Sequence, residues 1–159
     1  MNKRALIKKI LALLDAELES YAQSARAAHE EATHEQSKAE NKYDTRGLEA
    51  GYLAQGQSRQ AAEVQQAREQ FENLPLRAFG PADPIDLSAI VELEGQGGSS
   101  CFFIGPRSGG MELVHQRKTL VVITPQSPLG RQLLGKRQGE CVSIEIGRSR
   151  EDYRIVAVA

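Results

Sequence analysis

The sequence predicts an α+β protein: an antiparallel coiled-coil hairpin of two long helices, followed by a β-rich domain with one short helix. Three observations predict it. Apolar or small residues recur at alternating spacings of four and three up to Ala39, and again from Ala50 to Leu74. No proline interrupts the chain before Pro75. After Pro84 the apolar period shortens from helical to strand-like.

The first helix is expected from about Lys3 to Glu40. Its seam is Ile7, Leu11, Leu14, Leu18, Tyr21, Ala25, Ala28 and Ala32, with Glu35 as a break before Ala39. The second is expected from about Leu48 to Asn73, with Ala50, Leu53, Gln57, Gln60, Val64, Ala67, Phe71 and Leu74 at the same spacing. Pro75 closes it, because proline disfavours helix in the residue before it. Between them lies the polar stretch 41–47, Asn-Lys-Tyr-Asp-Thr-Arg-Gly, expected to be the tip where the chain reverses. Each arm has roughly 25 to 35 residues, so the finger is about 40 to 50 Å long at 1.5 Å per residue. The seam is graded: Leu11, Leu14 and Leu18 face Val64, Phe71 and Leu74 at the base, and alanines follow toward the tip. Small seam residues bury little area, so the base is expected to supply most of the stability, at roughly 25 cal/mol per Å².

Residues 1–79 thus form the finger, 80–84 (Gly-Pro-Ala-Asp-Pro) a stiff linker and 85–159 the second domain. In that domain strands are expected at 88–94, 101–104, 112–115, 119–124, 141–146 and 153–158. Turns fall at 95–100, 105–110 and 147–150. Ser127–Leu134 reads as a short helix, with Pro128 in its first turn and Gly135 ending it.

The totals exclude several classes. Net charge is −1, and strong binding to free nucleic acid needs a large positive excess. Residues 1–84 carry net −2 and residues 85–159 net +1, so neither part is a polyelectrolyte. No run reaches the roughly 18 apolar residues of a membrane span, and Lys8 and Lys9 interrupt the only stretch resembling a signal peptide. A cytoplasmic protein is expected. Cys101 and Cys141 both lie in apolar strand-like runs, which predicts two buried, reduced thiols. His29 and His34 flank acidic residues in a way that suggests a zinc helix. They are five apart, and ligation from one helical face needs a spacing of four. The glycine-rich stretches 95–100 and 105–110 sit between strands, as hairpin turns do, whereas a phosphate loop opens a helix. His115 stands alone at a strand end. Arg131, Lys136 and Arg137 cluster about the short helix, either as solvated surface or as a face for an acidic partner.

Val121-Val-Ile-Thr-Pro125, Ser127-Pro128-Leu129-Gly130, Leu133-Leu134-Gly135-Lys136, Gly139-Glu140 and Tyr153-Arg-Ile-Val156 resemble the C-terminal domain of the bacterial Gre family of transcript cleavage factors. The resemblance implies a domain like an FK506-binding protein behind an antiparallel coiled-coil finger. It implies RNA polymerase as partner, with the domain docked at the rim of the secondary channel and the finger tip near the RNA 3′ end. Pro128, Leu133, Gly135 and Lys136, with Arg131 beside them, become the candidate docking residues. The family is not itself enzymatic. In cleavage-active members two tip acids, three positions apart, hold a magnesium ion for the polymerase's own hydrolysis of RNA, a two-metal chemistry. Apart from that shared Mg²⁺, no cofactor is implied.

At the tip this chain departs from the pattern. Glu49-Ala50-Gly51-Tyr52 matches the family's closing Ala-x-Tyr, which would place its two acids on Thr45 and Leu48. The acids present are Glu40, Asp44 and Glu49. Asp44 and Glu49 are the candidate metal-holding pair, and helix capping and first-turn charge are their other reading. Two functions stay open under the resemblance: stimulation of RNA cleavage, or blocking and tuning of the channel. Outside it stand a prolyl isomerase, for which residues 85–159 offer only Phe102, Phe103 and Tyr153 as aromatics, and a coiled-coil adaptor or dimer stalk. A hairpin is expected to be monomeric.

Overall fold

The computed structural model describes residues 1–33 and 46–159. The chain divides into two compact units. One spans Leu11–Glu69; the other joins Met1–Ile10 to Gln70–Ala159.

Two helices, α1 (Lys3–Thr33) and α2 (Arg46–Glu72), supply the helical unit with residues 11–33 and 46–69, while their base turns belong to the other unit. Asn2 starts α1: its Oδ1 accepts the Ala5 N–H at 3.1 Å, one of the free amides of the first turn. The two helices run antiparallel. Arg68 Nε donates to Asp15 Oδ1 at 2.6 Å, and one step further along the Glu63 carboxylate acts on Tyr21, whose hydroxyl donates to Glu17. On the seam, Leu14, Ala28 and Ala67 are buried. Leu11, Leu18, Tyr21 and Ala25 are half-buried. The expected end of the first helix near Glu40 and the start of the reversal, 41–45, lie outside the described residues. Within the described residues the second helix runs from Arg46, ahead of the expected Leu48.

The other unit carries six strands: β1 (Ile90–Gly95), β2 (Gly98–Ile104), β3 (Glu112–His115), β4 (Lys118–Ile123), β5 (Cys141–Ile146) and β6 (Ser149–Val158), with α3 (Pro128–Leu133) between β4 and β5. They form a mixed sheet in the order β3-β4-β2-β1-β6-β5. β2 and β4 are parallel and the other pairings antiparallel. β1 begins two residues later than the expected strand start at Ser88. Ser88 has φ +69, which an extended strand does not allow. That strained residue is fully buried and is held by two bonds: its N–H donates to the Ile104 carbonyl, and its Oγ accepts the Arg77 N–H.

Both faces of the sheet are covered, so the apolar runs do not alternate cleanly. Ile104, Ile123, Val91, Leu93 and Ile155 form one core with Leu133 of α3. The alternate residues Phe103, Leu120 and Val122 are equally buried, as are Leu6, Ile10 and Phe71 from the helix bases. A Cβ on Gly105 would lie 2.9 Å from Val122 Cγ1 and 3.0 Å from the Phe71 ring, so the glycine is what lets Phe71 rest on the sheet. Leu6 and Ile10 are off the expected seam. With Ile7 they are the residues of α1 buried within this unit. Of the two cysteines, Cys101 is buried but Cys141 is exposed, contrary to expectation. Cys141 opens the edge strand β5, where the next residue, Val142, points inward.

Candidate functional site

The candidate docking residues sit on one corner of the second unit, and its shape is set by two residues. Ser127 caps α3. Its Oγ donates to the Thr124 carbonyl at 2.7 Å and accepts the Gly130 N–H at 3.0 Å. Gly130 packs on that same carbonyl: a Cβ there would stand 1.9 Å from Thr124 O, so no other residue fits without moving backbone. The tight turn leaves Pro128 exposed at the corner and pre-sets the first helical φ.

Along α3 the candidates divide. Pro128 and Arg131 are exposed. Leu133 is fully buried in the core, so it supports the corner from beneath. Gly135 is exposed with φ +81. It ends the helix in the left-handed conformation that glycine adopts most easily, and its N–H donates to the Ile85 carbonyl at 2.9 Å. Lys136 is half-buried, and its carbonyl accepts the Ile85 N–H at 2.8 Å. Arg137 is tied the same way, its Nε donating to the Ala82 carbonyl at 2.9 Å. The 133–137 stretch is thus fastened to the segment that leads into the sheet. What the corner presents to solvent is Pro128 and the nearby Arg131 guanidinium.

The candidate metal-holding acids are not part of this corner. Asp44 lies outside the described residues. Glu49 falls within α2, and its side chain is likewise outside them. Among the described residues no group of three or more His, Cys, Asp or Glu is placed to hold a metal ion, and no helix is long and apolar enough to cross a membrane. His29 is exposed on α1; His34 is outside the described residues.

His115 carries more than its sequence suggests. It is 2% exposed, and its ring nitrogens lack a well-formed hydrogen bond, with only the Asn2 backbone acting on them. Burial first, then the positive charges of Lys9 and the N-terminal amine, hold its imidazole below the usual range. Lys9 itself donates from Nζ to the Val114 carbonyl at 2.8 Å, which occupies part of the edge of β3. A second set of residues that sequence reasoning missed is Lys3, Arg77 and Phe79. They are more than seventy positions apart at the extremes, and no local pattern links them.

The corner and the sheet behind it coincide with a known family. The family described as "Transcription elongation factor, GreA/GreB, C-term" matches residues 81–159. Over a longer stretch, the transcription inhibitor protein Gfh1 of Thermus thermophilus is 29% identical across 124 residues, covering 73% of this chain and 72% of its own. Gfh1 of Thermus aquaticus is 27% identical over the same length, covering 73% and 71%. The crystal structure of Thermus aquaticus Gfh1 matches with 25% identity and a TM-score of 0.39, covering 95% of this chain and 92% of that one.

Proposed function

The chain belongs to the GreA/GreB family of transcription elongation factors, and we propose that it binds bacterial RNA polymerase and regulates elongation by occupying the secondary channel. In this reading the chain has no chemistry of its own and acts as a monomer. Residues 1–79 are the finger, 80–84 the linker and 85–159 the docking domain. Pro128 and Arg131 touch the polymerase, Leu133 and Gly135 hold them in place, and Lys136 adds charge at the margin.

One observation carries the sign of the effect. The curated relatives that match across both parts of the chain are named as transcription inhibitors. The tip agrees with them: Asp44 and Glu49 are five positions apart, whereas the cleavage-active pattern has its acids three apart. Two carboxylates hold a magnesium ion together only when both oxygens reach it at about 2.1 Å. We therefore read the protein as a channel-blocking modulator that does not stimulate cleavage. The second reading keeps the same docking and has Asp44 and Glu49 share a Mg²⁺ with the polymerase centre next to the RNA 3′ end. Both acids being present beside the reversal favours it.

The test is a backtracked, stalled polymerase complex with labelled RNA. The expected result is stable co-elution of the chain with core polymerase and no release of short 3′ RNA. Arg131→Glu should weaken co-elution about 10-fold, the loss typical of reversing a charge at an interface. Short RNA that appears with the native chain and disappears with Asp44→Asn would establish the second reading instead. Failure to co-elute at all would remove both.

A further inference from the structure

Where the start of α1 meets the segment after α2, Lys3, Arg4, Arg77 and Phe79 line an open basin of about 430 Å³. Phe79 is buried at 8% exposure. Two cations lie against its ring, with Lys3 Nζ 4.5 Å and the Arg77 guanidinium carbon 4.9 Å from the centroid. Each contact is favourable, but it holds two like charges near one another. Burial, and then the charge of Arg77, pull the Lys3 ammonium down to about 8. Lys3 also donates to the Arg77 carbonyl.

The neighbouring charges do not balance the cluster. Arg77 Nη1 is 3.7 Å from Asp86 Oδ2, with both side chains more than half exposed. Such a pair is worth little. The exposed Arg4 has no ion pair among the described residues. Met1 and Ala159 complete the lining. The free amides of the first turn of α1 are not the attraction, because Asn2 Oδ1 already takes the Ala5 N–H.

We propose that this basin is a binding site for a small polyphosphate oxyanion, of the pyrophosphate class. The chemistry decides the class. Guanidinium groups meet phosphate oxygens two at a time, and the lysine adds a point charge. Three cations from two separate stretches converge, more than one carboxylate can satisfy and suited to an anion with oxygens pointing several ways. The volume is in the range of small-molecule sites. A bound oxyanion bridges residues 3–4 to residues 77–79 and relieves the repulsion between Lys3 and Arg77. The site is independent of the polymerase reading.

The test titrates the full chain with sodium pyrophosphate at constant ionic strength, followed by calorimetry and by thermal melting. Saturable binding and a rising Tm are expected. Arg4→Gln should weaken binding about 3-fold, as for an exposed charge. Arg77→Gln should weaken it about 10-fold or more, as for a charge-assisted hydrogen bond. Arg4 takes part in no buried contact, so its variant keeps the test decisive if Arg77→Gln fails to fold. A Tm rise matched by sodium chloride at the same ionic strength would overturn the proposal. So would equal affinity in the Arg4→Gln protein, or equal affinity for citrate, which carries carboxylates in place of phosphates.

Discussion

In the sheet-bearing unit, Phe71, Phe103, Leu120 and Ile104 are all fully buried. In the helical unit the buried seam residues among those described are Leu14, Ala28 and Ala67. The first unit excludes water with large side chains on both faces of a sheet, at about 1.5–3 kcal/mol for each one buried. Among its described residues the second does so with one leucine and two methyl groups, helped by the ion pair of Asp15 and Arg68. One region holds a shape and the other keeps a thin, polar surface. Stability and slenderness draw on the same side-chain volume, so a chain of this length places them in different stretches.

That contrast can be broken at its strong end first. Phe71→Ala removes a fully buried ring lodged against Gly105 and should cost about 3–5 kcal/mol, read as a lower denaturant midpoint for the sheet signal. A loss under about 1 kcal/mol would mean that the helix bases do not cover the sheet. Leu14→Ala should cost about 2–3 kcal/mol, near the low end for a leucine in a core. Ala28→Gly should cost about 1 kcal/mol, mostly helix propensity, and it should appear as faster amide exchange in α1 while the sheet amides stay protected. Equal losses for Ala28→Gly and Leu14→Ala would erase the grading. Asn2→Ala should cost about 1 kcal/mol through the lost cap.

His115 sharpens the comparison through pH. Its folded pKa is lowered, so the unfolded chain binds the proton more readily. Stability should hold above about pH 6.5, the unfolded value, and fall as pH drops below it. Unfolding curves at pH 7.5 and 5.5 should therefore differ more for the native chain than for His115→Leu. An identical pH dependence in the two proteins would show that the buried imidazole is not responsible.

Most of the sheet was legible because turn residues and apolar runs are local signals. The strand 112–115, the strand 141–146 and the short helix came out at or within a residue of where they lie. Ser88 did not, because a buried serine at positive φ is fixed by the Arg77 N–H and the Ile104 carbonyl, which no nearby residue announces. Leu6 and Ile10 were missed for a related reason. A heptad count follows the partner helix, and these two are buried in the sheet-bearing unit instead. Cys141 was expected inside because its run alternates, but alternation does not say which phase points inward at an edge. At the corner, the place of Pro128 in the first turn of the short helix was legible from Ser127 and Gly135 around it. The burial of Leu133 beside it depends on the sheet beneath. The lysine, arginine and phenylalanine of the basin share no stretch of sequence at all.

The central claim concerns what the chain does to a transcribing polymerase. Transcript length on a defined template, with saturating native chain and with the Arg131→Glu protein, measures that directly. Channel occupancy predicts shorter transcripts with the native chain, no short cleaved RNA, and recovery of length with Arg131→Glu. Unchanged transcript length, or faster escape from stalled positions accompanied by cleaved 3′ RNA, would contradict it.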